Sequence, residues 1–208
     1  MTNLDKGKNR FHDLLLQYSQ ELKADGRAEV EAILWDEYGT TATIMVVDMS
    51  GFTRLSREHG IVHYLSMVRR MQITSRPIIE SYQGQVVRFE ADNAYARFTN
   101  PGDAISAAVA LNLAMDAANI ITPDELDIRI SCGIDHGKCL IPDVSDFYGT
   151  PVNNASKLGE DLGEPGQILV TENAMLLVNN VSPFESDCME MNIGGEAMAI
   201  HSIKYNRA

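Results

Sequence analysis

The chain has 208 residues, 45% of them hydrophobic, and sets 17 Lys and Arg against 29 Asp and Glu for a net charge of −12. That length suits one sizeable domain with an extension, and the acidic balance argues against nucleic-acid binding, because phosphate backbones are held by clustered Lys and Arg. An acidic protein that handles a polyphosphate needs metal cations to carry much of the neutralisation.

In chain order, the opening residues MTNLDKGKNRF lack the apolar block of a signal peptide. No later stretch approaches the ~20 apolar residues that cross a bilayer, so a soluble, cytoplasmic protein with no membrane partner is expected. Phe11, Leu14, Leu15, Tyr18 and Leu22 recur at helical spacing, which predicts an amphipathic helix over 10–24, stopped by Asp25-Gly26. A second short helix around 28–36 carries Trp35, the only tryptophan. Residues 1–39 are thus read as a helical extension ahead of a main domain, 40–208. There the texture changes: TATIMVVDM is a continuous apolar run of strand length ending in an acid. SGFTRLS then leads directly into a long helical stretch to about Ser81, interrupted by Pro77. A hairpin over 85–98 follows, then a helix opening at Pro101, a strand LDIRISCGID, and a loop with a short strand through VSDFYG. Pro151 stands near the first turn of a helix, VNNASKLGEDLG. The tail reads as a strand QILVT, a helix over 172–179 and strands over 184–193 and 197–205. The β-α-β-β-α-β order predicts an α+β fold with a ferredoxin-like, split βαβ core: a mostly antiparallel sheet with helices packed on one face.

Two carboxylates stand out against this frame. The corner EADNAY, 90–95, carries Glu90 and Asp92 where a hairpin needs only a turn, and Asp92-Asn93 is itself a good turn pair. Asp48, at the end of a buried strand, cannot stay unpaired in the core, so it emerges at the sheet edge toward a partner or a metal. Directly after it, Ser50-Gly51-Phe52-Thr53 begins a helix whose free N–H groups form a seat for phosphate oxygens. In a split βαβ core the hairpin corner returns beside the end of the first strand, which brings Asp48 and Asp92 face to face. Two carboxylates held close repel unless cations lie between them. The other metal-ligand candidates are weaker. Cys132, Cys139 and Cys188 are odd in number and show no C-x-x-C spacing, so neither a disulfide framework nor a zinc site is expected, and buried reduced thiols are. His59 and His63 lie four apart on a helix without a third ligand, and His136 is read as a turn residue.

These pieces match a family. From about Ala42 to Ile203 the chain resembles the class III nucleotidyl cyclase catalytic domain, the fold of adenylyl and guanylyl cyclases. The resemblance runs in order through VVDMSGFT (family pattern F-x-D-I-x-G-F-T), VVRFEADNAYARF (V-x-K-T-I-G-D-x-x-x-A-x-F), CGIDHGK (x-G-I-x-x-G-x) and DFYGTPVNNASKL (D-x-x-G-x-x-V-N-x-A-x-R-L). It implies two divalent ions, Mg or Mn, on Asp48, Asp92 and the backbone carbonyl of Met49, with the triphosphate seated on Gly51, Phe52 and Thr53. Asn153 matches the asparagine that orients the ribose. Lys157 stands in place of the arginine that stabilises the α-phosphate, and keeps the charge without the planar fork of donors. A head-to-tail homodimer is implied as well, each site taking metals from one chain and Asn153, Lys157, Arg88 and Asp146 from the other.

Arg88 and Asp146 match the two positions that select the base. Adenylyl cyclases place Lys and Asp there, guanylyl cyclases Glu and a small residue. A donor at Arg88 and an acceptor at Asp146 suit adenine, and also cytosine and uracil, whereas guanine fits worst. The resemblance therefore implies conversion of ATP to cyclic AMP and pyrophosphate. The alternatives are a UTP or CTP cyclase of antiphage signalling and a catalytically silent nucleotide-binding domain. Arg88 also stands two residues from Glu90, the spacing of a strand-face salt bridge. Two departures weaken the match: Gly194 falls where the family carries a lysine that grips the terminal phosphates, leaving Lys138 or Lys204 as substitutes, and Phe89-Glu90-Ala91 replaces the T-I-G before the second acid.

Overall fold

The computed structural model describes residues 3–178 and 184–206, with the side chains of residues 3–7, 52 and 53 set aside. Its centre is the apolar run, which forms strand β1, Gly39–Met49, with every residue from Ala42 to Val47 buried. Helices α1, Asn3–Gln20, and α2, Ala24–Tyr38, precede it. After it come α3, Phe52–His59, α4, Ile61–Ser81, β2, Gln85–Glu90, β3, Asn93–Phe98, and α5, Pro101–Asn119. Strand β4, Ile130–Asp143, β5, Asp146–Tyr148, α6, Thr150–Ser156, and a π-helical turn, Lys157–Leu162, form the next block. The chain closes with β6, Ile168–Thr171, α7, Glu172–Val178, β7, Ser186–Ile193, and β8, Glu196–Ile203. The strands make one sheet in the order β2-β3-β1-β4-β6-β8-β7, with β5 paired to β4. Among the described residues only the β4–β6 pairing is parallel, so the mostly antiparallel α+β sheet is as expected. No helix among the described residues is long and apolar enough to cross a membrane.

Side chains alternate across β1 with the period of two that a pleated strand imposes. Met45, Val47 and Met49 enter the larger core with Tyr64, Met67 and Met71 of α4, Ile105 and Leu111 of α5 and Met175 of α7. Each such buried side chain stabilises the fold by about 1.5–3 kcal/mol. Ile44 and Val46 face the other way, against Val152 and Ala155 of α6. The helices therefore cover both faces of the sheet, not one. Two glycines allow this. A Cβ on Gly133 of β4 would lie 2.1 Å from the Ala155 carbonyl oxygen and 2.5 Å from the Gly159 nitrogen, and one on Gly159 would lie 2.8 Å from the Val46 carbonyl oxygen. Bare backbone on both sides lets α6 and the π turn settle directly on β1 and β4.

Several local expectations shift by a few residues for identifiable reasons. Helix α1 ends at Gln20, and Asp25-Gly26, expected to stop it, lies inside the first turn of α2, where an acid meets the positive end of the helix dipole. Arg27 closes the corner by donating to the carbonyls of Glu21 and Leu22 at 2.9 and 3.4 Å. The stretch after Gly51 is two helices broken at Gly60, whose φ of 87° suits a residue without a side chain, while Pro77 sits inside α4 without ending it. The hairpin corner falls on Ala91, at φ 50°, and Asp92, so Asn93 already belongs to β3. Cys132 and Cys139 are buried thiols as expected, but Cys188, on the edge strand β7, is exposed.

Gly133→Ala sets a Cβ against backbone that has no side chain to swing away. The expected loss is about 3 kcal/mol, a fall in Tm of roughly 6–12 °C for a chain of this size, read by thermal unfolding of the purified variant.

Candidate functional site

Asp48 is the only charged residue of β1 and the next to last in it. Pairing on both sides places it: Asn93 of β3 stands opposite it on one flank and Ser131 of β4 on the other. Beyond it, the Met49 N–H donates to the Asp92 carbonyl at 3.3 Å and the Ser50 N–H to the Arg129 carbonyl at 2.9 Å. The end of β1 is thereby tied to the hairpin corner, and Asp48 and Asp92 come together. Both are partly buried. Burial first, then the charges of Asp92, Glu160 and Asp161, push the Asp48 carboxyl up to about 7. Burial first, then the nearby Asp92 and Asp48 carboxylates, raise the pKa of the Tyr64 hydroxyl, which comes from α4. The buried Oδ1 of Asn93 has no hydrogen-bond partner among the described residues. Glu160 and Asp161 act through space, for no three-ligand cage among the described residues includes Asp48.

The second wall is α6 and the π turn. Asn154 is buried and donates to Asp135 Oδ2 at 2.8 Å, and the same carboxylate accepts from Thr171 Oγ1 at 2.5 Å and from the His136 N–H at 2.7 Å. Burial raises the pKa of Asp135 despite these three donors. With Asn154 anchored inward, Asn153 and Lys157 are exposed. Lys157 pairs with Asp161 one turn on, and Glu160 accepts from the Tyr95 hydroxyl at 2.9 Å.

A third group lies where β2, β3 and β5 meet. Arg88 Nη1 donates to Asp146 Oδ1 at 3.0 Å while its Nε reaches Glu90 Oε2 at 3.2 Å; the strand-face pair with Glu90 is as expected, and the direct bond to Asp146 was not foreseen. Its guanidinium lies over Tyr95, 4.3 Å from the ring centre, and 5.4 Å from that of Phe147. Asp146 is further held by the Phe147 N–H at 3.1 Å and the Tyr148 hydroxyl at 2.5 Å. That last bond, more than burial, drives the Tyr148 phenol up to about 12. Tyr148 in turn stacks on Phe11 of α1, ring centres 5.8 Å apart.

Gly51, at φ 99°, opens α3, and the backbone of Phe52 and Thr53 forms its first turn; their side chains lie outside the described set. Gly194, at φ 63°, turns between β7 and β8. Of the two lysines considered in its stead, Lys204 pairs with Asp187 at 2.6 Å, and Lys138 is an exposed residue of β4. His59 and His63 stack at 4.7 Å, and His63 Nε2 contacts the Glu125 carbonyl at 2.7 Å. His136 is no turn residue: β4 runs straight through it, opposite Thr43, whose hydroxyl meets its Nδ1 at 2.8 Å. Sequence reasoning passed over Tyr64, Tyr95, Phe147, Tyr148, Glu160 and Asp161. Two carried a local signal: Asp161, four residues after Lys157 on one helix face, and Tyr148, two residues after Asp146 on one strand face.

The family profile described as the adenylate and guanylate cyclase catalytic domain matches residues 36–204. The protein named "Putative adenylate cyclase 3" of Rhizobium meliloti (strain 1021) is 31% identical over 132 residues, which is 63% of this chain and 22% of that protein's length. Among solved structures, the adenylate/guanylate cyclase/hydrolase of Silicibacter pomeroyi has a TM-score of 0.69 at 23% identity, covering 81% of this chain and 98% of its own. The adenylyl cyclase CyaB of P. aeruginosa has a TM-score of 0.65 at 22% identity, covering 81% and 96%. At such identities these structures establish the fold, that of class III cyclase domains.

The Asp48 environment predicts a pH effect on metal-free protein. An acid that titrates near 7 when folded and near its ordinary 3.8 when unfolded binds the extra proton in the folded state between those values, so stability falls as pH rises from about 4 to 7. Asp48→Asn removes the effect. It is expected to exceed the parent in stability by on the order of 1–2 kcal/mol above pH 7, after discounting for solvent screening, with no advantage near pH 4. Melting curves across that range, taken in chelator, check it; an unchanged difference at the two ends contradicts it.

Proposed function

Because the chain belongs to the adenylate and guanylate cyclase catalytic-domain family, we propose that it is a nucleotidyl cyclase, converting a nucleoside triphosphate, ATP foremost, to the 3′,5′-cyclic nucleotide and pyrophosphate. The observation that carries this reading is the charge imbalance at the end of β1: a partly buried Asp48 whose neighbouring charges are Asp92, Glu160 and Asp161, beside an unpartnered Asn93 oxygen. Oxygen donors in this number, short of positive charge, fit hard divalent cations. Asp48, Asp92 and the Met49 carbonyl would hold them. When bound, Mg or Mn supplies Lewis acidity at the ribose hydroxyl and the α-phosphate and offsets the charge of the departing pyrophosphate.

The chain's own groups take the remaining tasks. Free N–H groups in the first turn of α3, from Gly51 to Thr53, receive phosphate oxygens. Asn153 orients the ribose so that its 3′ oxygen lies in line with the α-phosphorus; the O3′–P bond forms as the bond to pyrophosphate breaks. Lys157 meets the charge that builds on the α-phosphate, and its salt bridge to Asp161 opens to free it. Arg88 donates to the adenine ring nitrogen and Asp146 accepts from the exocyclic amine. Asn153 and Lys157 are exposed whereas Asp48 is partly buried, which supports a site shared between two copies in a homodimer, metals on one and Asn153, Lys157, Arg88 and Asp146 on the other.

Purified protein incubated with Mn and each of the four ribonucleoside triphosphates in turn is expected to yield cyclic AMP from ATP. Product from UTP or CTP in preference names the pyrimidine reading, and no cyclic product from any of them names the silent domain. Asp48→Ala and Asn153→Ala are each expected to lose at least about 100-fold in rate, and their mixture to regain about one working site per dimer. A mixture as inert as its components rules out the shared site.

A further inference from the structure

At the far edge of the sheet, α7 and the β7–β8 hairpin bring together Glu172, Cys188 and His201. Cys188 and His201 are direct cross-strand partners, and on its other side His201 stands opposite Val170 of β6, the strand that leads into Glu172. One ligand atom from each of the three lies within 4.8 Å of the other two. His201 Nε2 is 2.5 Å from Glu172 Oε2, while its Nδ1 is 3.1 Å from Ser186 Oγ.

We propose that these three side chains bind one zinc-class divalent ion per chain. Thiolate, imidazole and carboxylate together are the donor set of a borderline transition ion, whereas Mg prefers oxygen donors throughout. Ligand atoms around a tetrahedral zinc lie roughly 3.5 Å apart, given bonds of about 2.0–2.3 Å, so the cluster needs only small side-chain movements to close. The ion replaces the direct Glu172–His201 hydrogen bond with a bond to each. Ser186 already occupies the outer ring nitrogen, which leaves Nε2 as the coordinating atom and fixes the ring's orientation. The His201 side chain is 14% exposed and that of Glu172 43%, and Cys188 is exposed; the ion therefore enters from solvent and keeps a fourth position for water. Its effect on the fold is a clip that ties the edge strand β7 to α7. The sequence hides the site because its ligands share no motif: strand register and the β6–α7 corner bring them together. The site is independent of the cyclase reading.

The test is a Co²⁺ titration of the full chain after chelator treatment and thiol reduction. A near-ultraviolet thiolate-to-cobalt charge-transfer band saturating at one equivalent is expected, displaced by zinc, with Cys188→Ser abolishing it. Ser186→Ala is expected to weaken the ion by about 10-fold or more, and His201→Gln and Glu172→Gln by more than that. Zinc is expected to raise the Tm of the parent and leave that of Cys188→Ser where it was, while the metal-free melting temperatures of parent and variants show that each is folded. Absence of a saturable band, or a band that survives Cys188→Ser and so comes from another cysteine, overturns the proposal. Cobalt held at the Asp48 acids gives no thiolate band and counts against it likewise.

Discussion

A carboxylate taken partly out of water, with other carboxylates as its charged neighbours, sets the terms for the whole centre of this molecule. Asp48 gets there because β1 must be apolar to lie between β3 and β4 and must end somewhere. Antiparallel partners on both flanks leave its last residues no freedom of register, since a one-residue slip would turn Met45, Val47 and Met49 out of the larger core. The acid is thus held in place by the hydrophobic burial of its neighbours along the strand. At neutral pH it is left to take a proton or a cation, and a carboxyl titrating near 7 is poised between the two. A fold stabilised only for its own sake would carry a neutral side chain at this position.

The second constraint is the approach of α6. Gly133 and Gly159 remove two side chains from the contact, and Asp135 fastens the helix by holding Asn154. Close approach and a buried anchor together decide which way the helix faces. With Asn154 turned inward, its neighbour Asn153 faces out, and the π turn that follows carries Glu160 and Asp161 toward Asp48. An extra residue in a helical turn is often retained where it re-aims side chains at a functional surface. The same segment therefore sharpens the negative potential at Asp48 and displays Asn153 and Lys157 to solvent.

Much of this was legible in the sequence for plain reasons. An apolar run ending in an acid has few ways to fold, and the period-two alternation of the 85–98 hairpin, Pro101 at a helix start and the Asp48–Asp92 approach all follow from local chemistry plus one topological rule. What was not legible depended on long-range packing. Asp25-Gly26 reads as a stop signal, yet the acid works equally well as the opening turn of the next helix. Pro77 reads as a break, yet α4 has enough buried surface on both sides to run through it, and the real break falls at Gly60. His136 reads as a turn because GIDHG resembles one, while β4 is extended by its pairing with the whole length of β1. Tyr64 had no signal at all, since it acquires its role from a carboxylate far away along the chain.

On the proposed reading, Arg88 and Asp146 are a recognition pair kept ready without a ligand. Left apart, each would be a charge partly withdrawn from water; together they satisfy one another, and the Tyr95 and Phe147 rings fix the guanidinium plane. A base that presents an acceptor to Arg88 and a donor to Asp146 would replace the bond each gives the other, leaving neither charge unpaired. A base with the opposite pattern sets donor against donor and acceptor against acceptor, and meets the full desolvation cost of both. Tyr148 would raise that discrimination further, because its hydroxyl already holds Asp146 Oδ2 and its ring rests on Phe11. The carboxylate is thus less able to swing out of the way of a mismatched edge, and selectivity at this pair would come as much from what it cannot yield to as from what it binds.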